Sequence, residues 1–284
     1  PEETFRTKTI GANVKTSVLI LQKKTGVKKH NIFFGLPKTV GYDFSGYLIK
    51  SNEVLDVSKH YKNTTLANST SNRRYFRISL SNEELIDRMD AAFYSYTHHS
   101  LLDSKYKIDN FCDVLTGKTP SKSDYLDNGE IKILKVRCLT NEMVDWSDKK
   151  RDYVTKKWYS SIENKIDIKE DDILIAAAAH VAKYIGDEID IVDYIPSKYK
   201  VAIASAKINV IRVKDKKELN PYILLQFLRS QEGYNAIQSI IRGQTAEIYP
   251  QDIYKIKIPP EIIKISQKRG AEMEKEQKNL MKTI

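Results

Sequence analysis

Three groups of basic and hydrogen-bonding side chains in the second half of the chain could take part in recognition chemistry. They are Lys118, Thr119 and Lys122; Arg137, Lys150, Arg151 and Tyr153; and Arg242, Gln244 and Thr245. Lys and Arg neutralise phosphates, and Arg and Gln can also form paired hydrogen bonds to the edge of one base. A single group of this kind is more often an ordinary solvated loop. Three groups in one basic domain instead favour a surface that contacts double-stranded DNA.

The overall charge of the chain agrees with a polyanionic partner. Among its 284 residues, 47 Lys and Arg stand against 37 Asp and Glu, which gives a formal net charge of +10. Such an excess favours nucleic acid or an acidic membrane surface. It is also typical of lysine-rich proteins from AT-rich or thermophilic genomes, so the charge alone leaves an incidental origin open.

Residue patterns that would indicate a catalytic or metal centre are missing from the sequence. Gly35, Gly41 and Gly46 do not have the spacing of a phosphate-binding loop. His98 and His99 are adjacent, so they cannot share one face of a helix or strand, and no metal site is predicted. No set of carboxylates is spaced as in a nuclease or glycosidase. We therefore predict that this piece has no active site and no cofactor of its own.

The cysteines and the apolar runs indicate the class of protein. Cys112 and Cys138 each lie in an apolar neighbourhood and form no C-x-x-C pair, so we predict buried free thiols rather than a disulfide. No apolar run approaches the length of a membrane span, and we expect no membrane partner. The first residues, "PEETFRTKTI", lack Met and suggest the middle of a longer protein, with further function upstream.

The strands and helices of the chain can be predicted from residue periodicity, beginning with the first hundred residues. Two apolar stretches, Asn13–Lys24 and Asn31–Pro37, are predicted to be strands, the first of them buried. An amphipathic helix is expected further on, with Val54, Leu55 and Val57 on its apolar side. After another strand, "YFRISL", Ser81 and Glu84 have the spacing of a capping box at the start of a helix.

In the rest of the chain, we predict a short helix that ends at Leu115–Gly117 and a strand over Ile131–Leu139. Asn220 and Pro221 have the residue types of an N-cap and first helical position, and Gly233 is expected to divide the helix that follows. Alternating apolar residues over Ile253–Ile258 indicate a strand. The last residues form a long charged helix whose apolar stripe is narrow: Ile262, Ile265, Arg269, Met273, Glu276 and Leu280.

Residues 105–260 resemble the target recognition domain of type I restriction-modification specificity subunits. The stretches that carry the resemblance are "FCDVLTGKTPSKSDYLDNGEIKILKV", "EDDILIAAAAHVAKYIGD", "NPYILLQFLRSQEGYNAI" and "RGQTAEIYPQDIYKIKIPP". The helix after Pro260 resembles the spacer helix of that family. The chain departs from the family at "AAAAH", Ala176–His180, where polar residues with Gly are usual, so the role of that loop is left open.

Residues 1–66 resemble the far C-terminal part of N6-adenine DNA methyltransferases, and "RMDAAFYSY" resembles the joint to a fused recognition domain. The S-adenosylmethionine loop and the Asn-Pro-Pro-Tyr motif of these enzymes do not occur here. The resemblance therefore implies that catalysis and S-adenosylmethionine binding lie upstream, in the same chain or in a separate methyltransferase subunit.

Together the two resemblances imply a mixed α+β protein in four parts. They are a methyltransferase remnant over 1–80, a linker helix over 81–104, a DNA target recognition domain with a mixed or antiparallel sheet over 105–260, and a spacer or dimerisation helix over 261–284. The implied function is sequence-specific recognition in a prokaryotic, cytoplasmic restriction-modification system. It would direct adenine-N6 methylation, and in some systems cleavage, to a target site. The alternative is a basic scaffold that binds a partner without sequence-specific DNA binding.

Overall fold

The computed structural model describes residues 18–20, 26, 29–43, 46–62, 74–99, 104–163, 166–180, 182–242 and 246–281. The chain divides into two compact units, Pro1–Leu101 and Leu102–Ile284. Both strands and helices are present in each unit, so the predicted mixed α+β class is confirmed. Within the described residues, no helix is both long enough and apolar enough to cross a bilayer.

The first unit is built on one antiparallel strand pair. Its elements are β1 (Lys29–Gly35), β2 (Val40–Tyr42), β3 (Leu48–Asn52), α1 (Val54–Lys62), β4 (Tyr75–Ser81), α2 (Asn82–Asp87) and α3 (Ala91–His99). Strand β1 pairs with β4 along its whole length. The rings of Phe34, Phe76 and Tyr94 stack beneath this pair at centroid distances of 5.4 and 5.2 Å. Burial raises the pKa of Tyr94 to about 12.

The predicted capping box is confirmed, because the Ser81 hydroxyl accepts from the Glu84 amide and the Glu84 carboxylate accepts from the Ser81 amide. Two other predictions for this unit are wrong in whole or in part. Val18, Leu19 and Ile20 are exposed and lie in no strand, and the rest of the Asn13–Lys24 stretch lies outside the described residues. The predicted amphipathic helix is confirmed as α1, but its apolar side is not packed as predicted, because Val54 and Leu55 are exposed, at 45% and 65%.

The second unit contains two four-stranded sheets. Its elements are α4 (Ile108–Phe111), β5 (Cys112–Thr116), β6 (Tyr125–Leu126), β7 (Ile131–Leu134), β8 (Tyr153–Val154), α5 (Lys156–Ser161), β9 (Ile173–Ala176), β10 (Ala178–Ala179), β11 (Ile189–Ile191), β12 (Val201–Ala204), β13 (Ile208–Val213), α6 (Pro221–Arg229), α7 (Gln231–Ser239), β14 (Ala246–Glu247), α8 (Pro250–Ile253) and α9 (Pro260–Met281). One sheet has the order β11-β9-β13-β5 and is antiparallel throughout. The other has the order β12-β7-β8-β6 and contains one parallel pair, β12 with β7.

The core of this unit draws on both sheets. It contains Leu134, Cys138, Trp146, Leu174, Tyr199, Ala204 and Val210, among others. Cys112 and Cys138 are buried free thiols, as predicted, and burial raises the pKa of Cys112 to about 12. A thiol held in its neutral form is a poor nucleophile and a poor metal ligand.

The predicted helix that ends at Leu115–Gly117 is wrong, because only Ile108–Phe111 is helical and β5 follows directly. In β5, Cys112 and Val114 are buried while Asp113 is exposed. Side chains of this segment therefore alternate between the two faces of the sheet, as in a pleated strand. The strand expected to reach Leu139 ends at Leu134, where the chain enters a 3-10 turn. The strand expected at Ile253–Ile258 is also wrong: α8 occupies Pro250–Ile253, and Lys257 makes only an isolated bridge to Lys107.

The helical prediction near Asn220 is confirmed. The Asn220 side chain accepts a hydrogen bond of 2.9 Å from the Tyr222 amide, and Pro221 occupies the first turn. The break that follows lies at Ser230, which caps α7, and not at Gly233. A Cβ atom at Gly233 would lie 2.1 Å from the Phe227 carbonyl oxygen, so glycine permits the close junction of the two helices.

Helix α9 packs against α6 through small and polar residues. Ser266 accepts a hydrogen bond of 2.6 Å from the Asn220 amide, and a Cβ on Gly270 would lie 2.8 Å from the Asn220 Cβ. Ile263 is buried, whereas Ile265 of the predicted stripe is 43% exposed. The packed face of α9 therefore differs from the predicted one. The helix ends at Met281, and the last three residues lie outside the described part.

Candidate nucleic-acid interface

One edge of the two sheets in the second unit collects basic residues from separate parts of the chain. Strands β5 and β9 end there and β13 begins there, because β13 is antiparallel to both. The short turn between β12 and β13 brings the ends of β12 and β7 to the same edge, and β8 begins beside it. We call the basic residues on these connections the cationic edge: Lys118, Lys135, Arg137, Lys150, Arg151 and Lys207.

The first loop of the cationic edge is tied to the β12–β13 turn. The Lys118 amide donates a hydrogen bond of 3.1 Å to the Ala204 carbonyl, and the Gly117 amide donates one of 3.2 Å to Ile208. A Cβ on Gly117 would lie 2.2 Å from the carbonyl oxygens of Ala204 and Ser205, so only glycine allows this approach. The side chains of Lys118 and Thr119 are exposed on the tied backbone.

The second set of cations surrounds one buried carboxylate. Asp152 is fully buried and pairs with Arg137, with Lys135 at 3.4 Å and with Lys132 at 3.4 Å. Lys135 also donates to the Arg151 carbonyl oxygen, which joins the ends of β7 and β8. The pKa of Lys135 is lowered because partial burial and the neighbouring Arg137 disfavour the ammonium. The buried Asp152 carboxylate thus fixes the position of the Arg137 side chain.

Lys132 lies beneath this set and is fully buried in β7. Its ammonium donates hydrogen bonds of 2.9 Å to the Ser147 carbonyl and 3.1 Å to Asp148. It also lies 5.3 and 5.4 Å from the ring centroids of Tyr153 and Tyr199. Satisfied donors and aromatic faces make such a buried charge tolerable.

The structure does not place Tyr153 among the exposed side chains. Tyr153 is only 5% exposed, and its hydroxyl donates a hydrogen bond of 2.5 Å to Asp148. Burial and this bond to Asp148 raise the pKa of the Tyr153 phenol. Its role here is to enclose Lys132, and it cannot reach DNA from this position.

Four members of the cationic edge carry charge that the protein does not neutralise. In the described part of the chain, no carboxylate pairs with the side chains of Lys118, Lys150, Arg151 or Lys207. All four are exposed. Arg151 has a left-handed backbone with φ of 59°, and its amide donates a hydrogen bond of 2.9 Å to Asp127. Unpaired cations on a braced backbone are suited to binding phosphates.

Lys122 is not brought to the cationic edge. It lies in a 3-10 turn with Asp124, whose carbonyl oxygen accepts a hydrogen bond of 3.0 Å from the Thr155 amide. Thr155 follows β8, so this turn lies towards the opposite end of that strand from Arg151. Lys135 and Lys207 are members that the sequence analysis missed. Lys207 lies in the stretch "KYKVAIASAKINVIRV", which was predicted to form two strands. A turn must join those strands, and a lysine in that turn was the signal that could have revealed it.

Arg242, from the third predicted group, is engaged inside the protein. It forms hydrogen bonds of 2.6 and 2.5 Å to the two carboxylate oxygens of Asp252, which is fully buried. Its backbone exchanges hydrogen bonds of 2.8 and 3.0 Å with Glu247 in β14. Gln244 and Thr245 lie outside the described residues, so the structure neither supports nor opposes their predicted contact with DNA.

Arg242→Ala is expected to lower the free energy of unfolding of the second unit by about 2–4 kcal/mol, because the buried Asp252 carboxylate would lose both hydrogen bonds from the guanidinium and keep the longer 4.0 Å contact with Lys255. Thermal unfolding of the full chain measures this. Arg269→Ala is the control, because Arg269 pairs with Glu272 while both side chains are 60% exposed, and it should change stability by less than about 0.5 kcal/mol. Equal effects of the two substitutions would show that the Arg242–Asp252 pair has no structural role.

No group of His, Cys, Asp and Glu that could hold a metal occurs within the described ranges. His98 and His99 lie at the end of α3. The geometry of the second unit is that of a binding surface with electropositive loops.

The comparisons with known proteins agree with this geometry. The family model described as the type I restriction modification DNA specificity domain matches residues 103–278, more than half of the chain. No curated protein matches the chain.

Three solved structures are among those to which the chain is similar. The S subunit of a type I restriction-modification system from M. genitalium is 15% identical, with a TM-score of 0.35, over 56% of this chain and 35% of that one. The HsdS subunit from Thermoanaerobacter tengcongensis is 18% identical, with a TM-score of 0.34, over 61% and 41%. The type IIG restriction endonuclease BpuSI is 11% identical, with a TM-score of 0.42, over 87% and 36%. This chain spans less than two thirds of the length of each.

Proposed function

The chain belongs to the type I restriction modification DNA specificity domain family, and from this premise we propose that residues 102–284 bind duplex DNA through the cationic edge and read its sequence. One observation carries the proposal. Loops that are far apart in the sequence bring six cations to one edge, and four of these have no carboxylate partner among the described residues. Exposed unpaired charge attracts phosphate, and its affinity depends on salt.

The arrangement supports a division of roles between these cations. Lys118, Lys150, Arg151 and Lys207 neutralise phosphates and set the register of the domain on the duplex. Base edges are read by side chains that the same loops hold at the groove, and each good pair contributes about 1–3 kcal/mol of discrimination. We assign this role to Thr119 and Arg137, because Thr119 follows the tied Lys118 backbone and Arg137 is oriented by Asp152.

We further propose that the parent protein directs adenine-N6 methylation, as the resemblance of residues 1–66 implies. The methyltransferase part, in this chain or in a separate subunit, would supply S-adenosylmethionine binding and take the target adenine out of the helix. The recognition domain would hold the DNA in register during that step. Helix α9 would set the distance to a second recognition domain or a second protomer. Methylome mapping in cells with and without the intact gene tests this part: an unchanged pattern of N6-methyladenine would reject it.

DNA binding by the cationic edge is tested by a variant that replaces Lys118, Lys150, Arg151 and Lys207 with Ala. We expect duplex affinity to fall by about 100-fold at low salt, and the slope of log affinity against log salt to become shallower by up to about four. Fluorescence anisotropy with labelled duplex over a salt series measures both quantities.

The matched control removes four positive charges from the opposite edge of the same sheets. It replaces Lys157, Lys169, Lys200 and Lys217 with Ala, all exposed and, in the described part, without ion pairs. Net charge falls equally in both variants. If both lose affinity equally, binding follows net charge alone and the cationic edge is not the interface. Weak binding of the unaltered chain that does not depend on salt would instead favour the basic scaffold.

A further inference from the structure

A second connection at the same edge carries exposed side chains of a different kind. It joins the end of β9 and the short β10 to the start of β11, and its residues 182–186 form a 3-10 turn and a glycine turn. Because β11 is antiparallel to β9, both ends of this loop lie where β9 ends. The Ala177 amide donates a hydrogen bond of 2.8 Å to the Lys207 carbonyl, which places the start of the connection beside the cationic edge.

The 182–186 loop is fastened to helix α7 along its length. The Gln238 amide donates hydrogen bonds of 2.9 Å to the Ala182 carbonyl and 2.6 Å to the Ile185 carbonyl. The Tyr234 hydroxyl donates one of 3.0 Å to the Lys183 carbonyl. Side chains of α7 thus donate hydrogen bonds to three backbone carbonyls of the loop, which hold the loop against the helix.

Further anchoring comes from the loop itself. Ile185 is fully buried, and Gly186 has φ of +87°, a conformation that side-chain-bearing residues rarely adopt. A fastened loop loses little conformational entropy when it binds a partner. The 182–186 loop is already ordered in the free protein, so little further conformational entropy is lost on binding.

What this fastened loop presents to solvent is one aromatic ring and one cation. Tyr184 is 50% exposed, and the Lys183 ammonium lies 4.9 Å from its ring centroid. Within the described residues, Lys183 has no carboxylate partner. A tyrosine offers both an apolar face for a base or a thymine methyl and a hydroxyl for a base edge or phosphate. A neighbouring cation adds attraction to the backbone of the duplex.

A solvent-open cavity of about 380 Å³ lies next to this loop. Gly186 and Asp187 form one side of it, and the polar side chains of Asn141, Gln231 and Tyr234 line the rest together with Arg229. Amide side chains are the groups that form paired hydrogen bonds with adenine edges. The surroundings of the loop are therefore polar, as a groove-facing surface requires.

We infer that Lys183 and Tyr184 are specificity-determining contacts to DNA, and that Gln238 is the positioning residue that presents them. This inference rests on the proposed function and assigns a role to the stretch "AAAAHVAKYIGD". Lys183 meets the duplex backbone, Tyr184 reaches the groove, and Gln238 acts only through the two carbonyls that it holds.

The experiment selects the preferred site from a randomised duplex library with the full chain, then compares affinity for that site and for single-base variants of it. Tyr184→Ala should reduce discrimination at one or two positions by about tenfold, and change affinity for unrelated duplex by less than about threefold. Tyr194→Ala is the matched control, because Tyr194 is also 50% exposed but follows β11 at its other end. It should leave discrimination unchanged.

The role of Gln238 is tested by Gln238→Glu, which keeps the shape of the side chain but removes both donated hydrogen bonds. Discrimination should fall as in Tyr184→Ala, and the Gln238→Glu, Tyr184→Ala double variant should show no further loss, because both substitutions disable one contact. A purely structural role of Gln238 would lower the melting temperature and leave that non-additivity absent.

The outcomes separate the two proposals. If the cationic-edge variant loses affinity as expected while Tyr184→Ala and Lys183→Ala keep the selected site and its discrimination, this inference is wrong and the proposed function stands. If the unaltered chain selects no duplex sequence, the proposed function fails, and this inference fails with it.

Discussion

Asp152→Asn is expected to lower the free energy of unfolding of the second unit by about 3–5 kcal/mol. Asp152 is fully buried, and its carboxylate pairs with Lys132, Lys135 and Arg137. An amide of the same shape would leave the buried Lys132 ammonium with Asp148 as its only carboxylate partner in the described part of the unit. Because a buried ammonium that loses one of its carboxylate partners is costly, the loss exceeds that of an ordinary surface ion pair.

Chemical denaturation of the full chain, followed by tyrosine and tryptophan fluorescence, measures this effect. Asp145→Asn is the control: Asp145 pairs with Lys149 at the surface, at 29% and 45% exposure. The hydrogen bond from Lys149 is the main reason that the pKa of Asp145 is lowered to about 2. That depressed pKa contributes stability above the ordinary value of 3.8, which is lost as pH falls towards 2. At neutral pH the control should cost about 1–2 kcal/mol, which is less than the expected effect of Asp152→Asn, because the pair lies at the surface. An Asp152→Asn effect as small as that of the control would contradict the buried-charge account.

Gly117→Ala is expected to lower the same free energy by about 3 kcal/mol or more and to weaken duplex binding. An added Cβ would lie 2.2 Å from two backbone carbonyl oxygens, those of Ala204 and Ser205, and backbone cannot move aside as a flexible side chain can. Relief of the clash would separate β5 from the β12–β13 turn. Lys118, whose amide bonds to Ala204, would move with it.

Gly129→Ala is the matched control for this substitution, since the atoms nearest to its added Cβ would belong to the Tyr153 side chain, at 3.3 Å and beyond. We expect a change in stability below about 1 kcal/mol and unchanged DNA affinity. Calorimetry and anisotropy on the two variants measure both quantities. If Gly117→Ala unfolds at the temperature of the unaltered chain, the close approach of these two connections is not a feature of the protein.

The parts of the fold that the sequence predicted correctly depend on local chemistry. The Ser81–Glu84 capping box and the Asn220–Pro221 helix start each use residues within three or four positions of one another. Errors arose where distant pairing decides the structure. Residues 112–116 look like the end of a helix by composition, but they form strand β5, which pairs with Asn209–Val213 of β13.

The candidate site shows the same limit. Polar composition correctly marked Lys118, Lys150 and Arg151 as exposed loop residues. The same reasoning could not separate them from Tyr153 and Arg242, whose side chains are directed towards Asp148 and Asp252. Whether a basic or phenolic side chain faces solvent depends on an acidic partner elsewhere in the chain, and spacing along the sequence contains no information about it.

The parallel pairing of β12 with β7 has a consequence for biosynthesis. Ile131 in β7 pairs with Val201 in β12, so this pairing cannot form until the residues between them have been translated. Long-range parallel pairing forms slowly and leaves strand edges open to other chains until it is complete. A chain that ends before residue 201 therefore leaves the edge of β7 that faces β12 unpaired, while β8 covers the other edge. Truncated products of this gene are expected to be insoluble rather than shorter working binders.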